Sequence, residues 1–106
     1  MRILFDQGTP LPLRRPLISH DVETTWQRGW SELSNGDLLT AAEAAGFDLL
    51  ITTDQNLRYQ QNLSGRRIAI LVLTIANWPV LQPHATSIAA IVDVMQPGEY
   101  REWTPS

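Results

Sequence analysis

Ile68-Ala69-Ile70-Leu71-Val72-Leu73 is an unbroken apolar run bounded by Arg67 and Thr74. It is the longest such run in the chain and far shorter than the ~20 residues of a membrane span. It shows no polar alternation, so both of its faces need cover, as on an interior strand of a parallel sheet. Working outward, Leu49-Leu50-Ile51 and Ile3-Leu4-Phe5 are shorter runs of the same kind. Between them, Leu38, Leu39, Ala42 and Ala45 recur at helical spacing behind a Ser34 cap, and Gly46 stops the helix.

The remaining segments fill in the alternation. Strands are expected over 2–5, 21–25, 49–52, 68–73 and 99–103, the last at an edge. Pro10 suits the first position of a helix capped by Thr9, which Pro12 and Pro16 keep short or kinked. Residues 26–33 read as a Trp-rich loop, and further helices are expected over 57–63 and 83–96. Pro97-Gly98 ends the last of them. The resulting β-α-β-α-β-α-β-α-β order predicts one α/β domain. It is a three-layer sandwich with a mostly parallel central sheet and helices on both faces.

The chain has 106 residues, 43% of them apolar, enough for a core and against disorder. With no cysteine, disulfides, zinc-thiolate sites and thiol nucleophiles are excluded. The run after Arg2 is too short for a signal peptide, so a cytoplasmic protein that does not enter a membrane is expected. The formal charge of −3 argues against a DNA-coating protein, though not against an acidic nuclease site. All eight basic residues are Arg, whose planar fork matches phosphate oxygens, although composition bias explains the missing Lys as well.

Three carboxylates stand where chemistry is expected. Asp6 closes the first strand, Asp54 follows the third, and Asp37 opens the helix behind Ser34. In parallel α/β sheets, ligands bind beyond the carboxyl ends of the strands. Carboxylates gathered there repel, by about 4 kcal/mol for two at ~4 Å and an effective dielectric near 20. A divalent cation relieves this and supports phosphoester hydrolysis. Each aspartate also has a local role open to it. Asp6 suits an Asx turn with Gly8, Asp37 a near capping box with Ser34, and Asp54 a cap for the helix at Leu57.

Met1-Arg-Ile-Leu-Phe-Asp6, Asn35-Gly-Asp37-Leu-Leu39 and Leu50-Ile-Thr-Thr-Asp54, in that order and spacing, resemble the small PIN-like domains. The likeness runs through about Leu73. It implies a compact Rossmann-like sandwich and a Mg²⁺- or Mn²⁺-dependent endoribonuclease, often the toxin of a toxin–antitoxin pair. Asp6, Asp37 and Asp54 would be its catalytic metal-site acids. The chain departs from the pattern at Gln7, Gly8 and Asn56, where relatives carry further acidic or amide residues. It also has only Thr74 and Asn77 where a fourth acid is expected. These departures support a second reading, a catalytically inactive PIN-like module that binds RNA or a protein such as an antitoxin. A third is a structural subunit that forms a homodimer through its last helix and edge strand.

Past the third strand, Gln55, Asn56, Arg58, Tyr59, Gln60, Gln61 and Asn62 form a polar run suited to RNA bases and phosphates, or else a solvated helix. Arg58 is the expected phosphate contact, with Gln55 and Asn56 beside it. Trp26, Arg28 and Trp30 offer single-stranded bases a stacking surface, or else fold over the core or meet a second copy. Trp78 and Trp103 are expected in packing. His20 and His84 read as surface or capping residues, Glu43 as a solvated helix position or a cleft residue, and Asp93 as exposed.

Overall fold

The computed structural model describes residues 1–60 and 62–105, without the side chain of Gln60. Gln61 and Ser106 lie outside the described residues, and so do two side chains of the expected polar run, those of Gln60 and Gln61. The strands are β1 (Arg2–Phe5), β2 (Asp21–Thr24), β3 (Leu49–Thr52), β4 (Ala69–Leu73) and β5 (Tyr100–Trp103). The helices are α1 (Thr25–Arg28), α2 (Asn35–Ala44), α3 (Leu57–Gln60), α4 (Trp78–Leu81) and α5 (Ala85–Val94). Two 3-10 segments, Leu11–Leu17 and Gln82–His84, complete the described elements.

One five-stranded sheet runs in the order β2-β1-β3-β4-β5. Every pairing in it is parallel. The apolar run behaves as expected: β4 is interior and all five of its residues are buried. The edge strand β5 is also where the sequence put it.

Side-chain alternation divides the core into two. Ile3, Phe5, Ile51 and Leu71 face the first 3-10 segment and α5, packing on Leu13, Leu17, Ile88 and Val92. Leu4, Leu50, Ile70 and Val72 face the other way, onto Leu38, Leu39, Ala42 and Leu57 of α2 and α3. This is a helix–sheet–helix sandwich. Each such aliphatic side chain contributes about 1.5–3 kcal/mol by leaving water.

Local chemistry explains the departures from expectation. Pro16 removes an N–H from the first helical segment, and residues 11–17 close as a 3-10 helix. The loop expected over 26–33 begins with a helical turn, because Thr24 and Gln27 form a reciprocal capping box ahead of Gly29 at φ 73°. The last helix is split, with Gln82–His84 in 3-10 geometry before α5.

Two side chains are better integrated than the sequence indicated. The His20 side chain is only 11% exposed and is engaged at both ring nitrogens. Its Nδ1 lies 3.0 Å from the Met1 amine, and its Nε2 lies 2.7 Å from Asp93 Oδ1. Glu43 is neither solvated nor in a cleft beside Asp37. Its Oε1 takes Arg66 Nη1 at 2.7 Å, and its Oε2 takes the Arg67 and Ile68 N–H groups at 2.8 and 3.4 Å. Burial works against the Glu43 charge, but Arg66 and the two N–H groups outweigh it and hold the carboxyl below its ordinary range.

Candidate functional site

After β1 the chain pairs β2 on one side, then crosses to lay β3 on the other. The gap between the carboxyl ends of β1 and β3 is therefore a topological switch point, the place where open α/β sheets bind ligands. Asp6 leaves β1 there, its N–H still bonded to the Ile51 carbonyl at 2.9 Å. Thr9 Oγ1 donates to the same carbonyl at 2.8 Å and pins the loop. A Cβ on Gly8 would stand 2.3 Å from Thr53 Oγ1. Glycine at that position lets the β1 loop close against the end of β3.

A hydrogen-bonded chain crosses the gap. Thr52 Oγ1 donates to Asp6 Oδ2 at 2.8 Å and accepts the Asp54 N–H at 3.1 Å. Asn35 Nδ2, at the start of α2, donates to Asp54 Oδ2 at 2.9 Å. The second oxygens serve the local backbone: Asp6 Oδ1 accepts the Gln7 N–H at 2.8 Å, and Asp54 Oδ1 accepts the Asn56 N–H at 2.9 Å. Both aspartates thus hold their own turns as well as meeting through Thr52. The turn at Asp6 is closed on Gln7 rather than on Gly8.

Asp37 does not join this chain. A helical residue advances about 100°, so Asn35 shares the sheet-facing side of α2 with the buried Leu38, Leu39 and Ala42. Asp37 falls on the opposite side and is exposed. Its N–H caps onto Ser34 Oγ at 3.4 Å. Among the described residues, no three of Asp, Glu, His and Cys gather to hold a metal ion. The Asp6 carboxylate is bonded to the Thr52 hydroxyl, and that hydroxyl to the main-chain N–H of Asp54, so the oxygen donors at this gap are two carboxylates and a hydroxyl. All are hard oxygens of the type Mg²⁺ and Mn²⁺ accept, and Mg²⁺ sites commonly use one or two carboxylates with water.

The expected RNA contacts are arranged differently from one another. Gln55 Nε2 donates to the Thr74 carbonyl at 3.1 Å and braces the loop after β3 to the end of β4. Asn56 is exposed and contributes its N–H to Asp54. Arg58 lies 3.6 Å from Glu102, donates to the Tyr59 hydroxyl at 2.5 Å and sits 4.7 Å above the Tyr59 ring. The Tyr59 hydroxyl first, then the Glu102 charge, raise its pKa. Arg58 is thus a paired cation beside an aromatic that is 72% exposed.

On the other flank, the Trp-rich segment splits. Trp30 packs edge-on against Phe47, with ring centroids 6.1 Å apart. Arg28 binds Glu23 through two bonds of 2.9 and 3.1 Å, which also lowers the Glu23 pKa. Trp26 stays 80% exposed. It follows β2 as Tyr59 follows β3, and Arg58, which holds Tyr59, reaches Glu102 of β5. The sequence marks neither Asn35 nor Thr52 as a site residue; its one signal is a hydroxyl residue closing an otherwise apolar strand.

No family model, no curated protein and no solved structure matches this chain. None of the described helices is long and apolar enough to cross a membrane.

Proposed function

We propose that the protein is a metal-dependent endoribonuclease acting on single-stranded RNA, with Asp6 and Asp54 as its catalytic carboxylates. The observation that carries this reading is the joining of Asp6 to Asp54 through Thr52 at the switch point of a parallel sheet. Asp6 and Asp54 would hold Mg²⁺ or Mn²⁺, which when bound activates water and stabilises charge on the phosphate. Thr52 ties the Asp6 carboxylate to the main chain of Asp54, and Asn35 orients the Asp54 carboxylate. Trp26 and Tyr59 supply stacking faces for bases, worth about 1–3 kcal/mol per base. Arg58, held against Tyr59, adds a cation along the RNA path. Asp37, on the solvent side of α2, serves the helix start in this reading.

The test is cleavage of labelled single-stranded RNA in Mn²⁺, in Mg²⁺ and in chelator. Cleavage that needs the cation and disappears in Asp54→Asn supports the assignment. Cation-independent cleavage, or activity retained in that variant, rejects it.

The second reading is a PIN-like module that binds RNA without cutting it. It is favoured by the occupancy of all four carboxylate oxygens of Asp6 and Asp54 by protein donors. RNA binding that depends on Trp26 and Tyr59 but leaves the RNA intact in Mn²⁺ selects it.

A further inference from the structure

The amino end of the sheet, opposite Asp6 and Asp54, holds a cavity of about 420 Å³. Its walls are formed where the chain enters β1, β3 and β4 and where it leaves α2 and α5. That volume is in the range of small-molecule sites, roughly 300–1,000 Å³. Phe47, Ile68, Ala69 and Met95 line it and are buried, giving it an apolar body. Three charged side chains also line it, Glu43, Asp48 and Arg67. Glu43 is already taken up by Arg66 and two backbone N–H groups, which leaves Asp48 and Arg67.

These two charges are not spent on each other. Arg67 is held by its backbone: its N–H donates to Glu43 Oε2 at 2.8 Å and its carbonyl accepts the Gly98 N–H at 2.8 Å. Its guanidinium is exposed and forms no ion pair among the described residues. The Asp48 carboxylate accepts the Arg2 N–H at 2.8 Å and forms no ion pair among the described residues. The carboxyl termini of the ten-residue helices α2 and α5 also reach the wall, at Gly46 and at Met95 to Pro97. Each such terminus carries roughly half a negative charge. That of α2 is already met by the Arg2 guanidinium, which donates to the Ala45 carbonyl. The cavity thus pairs a fixed anionic side with a tethered cation over an apolar floor.

We propose that this cavity binds a free α-amino acid with an apolar side chain. The ligand ammonium meets Asp48 and the α5 terminus, its carboxylate meets Arg67, and its side chain lies among Phe47, Ile68 and Met95. The site is independent of the carboxylates at the other end of the sheet.

Titration calorimetry with L-leucine and L-phenylalanine tests this, alongside the half-ligands 4-methylpentanoate and 3-methylbutylamine. Saturable binding of an amino acid is expected, with each half-ligand at least about ten-fold weaker, since it forfeits one of the two charge-assisted contacts. Arg67→Gln should reduce leucine affinity to that of the amine and leave amine binding unchanged. Asp48→Asn should reduce it to that of the carboxylate. Arg67→Gln alters an exposed side chain, and an unchanged melting temperature confirms its fold. Asp54→Asn should not alter leucine affinity. Absence of saturable binding at millimolar amino acid overturns the proposal, and so does a half-ligand that binds as tightly as leucine. Amide shifts confined to the Asp6–Asp54 end on leucine addition would overturn it too.

Discussion

Asn35 Nδ2 donates to Asp54 Oδ2 at 2.9 Å and ties the first turn of α2 to the loop beyond β3. The sheet-facing residue of that turn is therefore the one that touches the switch point. The two carboxylates there belong to β1 and β3, and α2 contributes an amide.

Asp54→Asn should abolish stabilisation by Mn²⁺ while leaving the fold intact. Asparagine accepts the Asn56 N–H nearly as well as aspartate does, so the turn survives. The loss is half of the paired charge. The check is the melting temperature of wild type and variant, with and without millimolar Mn²⁺. A wild type that ignores Mn²⁺ favours the non-cleaving module.

Thr52→Val should destabilise the protein by about 1–3 kcal/mol, because the Asp54 N–H and Asp6 Oδ2 lose their common partner in a buried setting. For a domain of this size that is roughly 4 °C or more in melting temperature. Thr52→Ser keeps the hydroxyl and should restore both stability and any Mn²⁺ response. Equal behaviour of the Val and Ser variants would remove Thr52 from the site.

Tyr59→Ala and Trp26→Ala should each weaken binding of single-stranded RNA by about 1–3 kcal/mol, the usual loss for one stacked base. Both side chains are mostly exposed, so thermal stability should hold. Fluorescence anisotropy with a labelled oligonucleotide measures the effect. Unchanged affinity in both variants would take the aromatics out of the RNA path.

Glu43→Gln should flatten part of the acid limb of the stability curve. The folded pKa of Glu43 lies below its unfolded value. Its contribution is therefore complete above the ordinary carboxylate range and is lost as pH falls through the folded pKa. Glu23 and Glu99 are shifted in the same direction, so the acid limb is shared among them. Denaturant midpoints between neutral pH and pH ~3 should converge for wild type and variant as the pH drops. Parallel curves would show that Glu43 carries no linked proton.

Leu50→Ala should cost about 2–5 kcal/mol, the range for deleting a buried leucine. Leu50 is interior on β3 and packs into the α2 side of the core.

The sheet was legible in the sequence wherever burial alone decided the outcome. Ile68 to Leu73, Leu49 to Ile51 and Ile3 to Phe5 are short apolar runs with no polar alternation, as strands covered on both faces require. Ser34 and Gly46 bounded α2 equally well. The helical turn at Thr25 and the 3-10 segment at Leu11 rest on reciprocal side-chain bonds and a missing N–H, which periodicity does not register. At the site, the strand ends of Asp6 and Asp54 were readable because a strand end has a known direction. The side of α2 was not, since Asn35 and Asp37 are both polar and only the packing of Leu38 and Leu39 decides which faces inward. Glu43 and His20 escaped because their partners, Arg66 and Asp93, are distant in sequence.

The all-parallel register also governs how this chain reaches its native state. Arg2 pairs with Asp21, Ile3 with Leu49, Leu49 with Ala69 and Ile70 with Tyr100. None of these rungs can form as a hairpin, so each waits on closure of a long loop, and folding should be slow for a domain this small. The strand most exposed to that delay is β1. It emerges first yet finds its inner neighbour only after α2 and β3 have been made, which leaves Ile3-Leu4-Phe5 open to off-pathway association in the meantime.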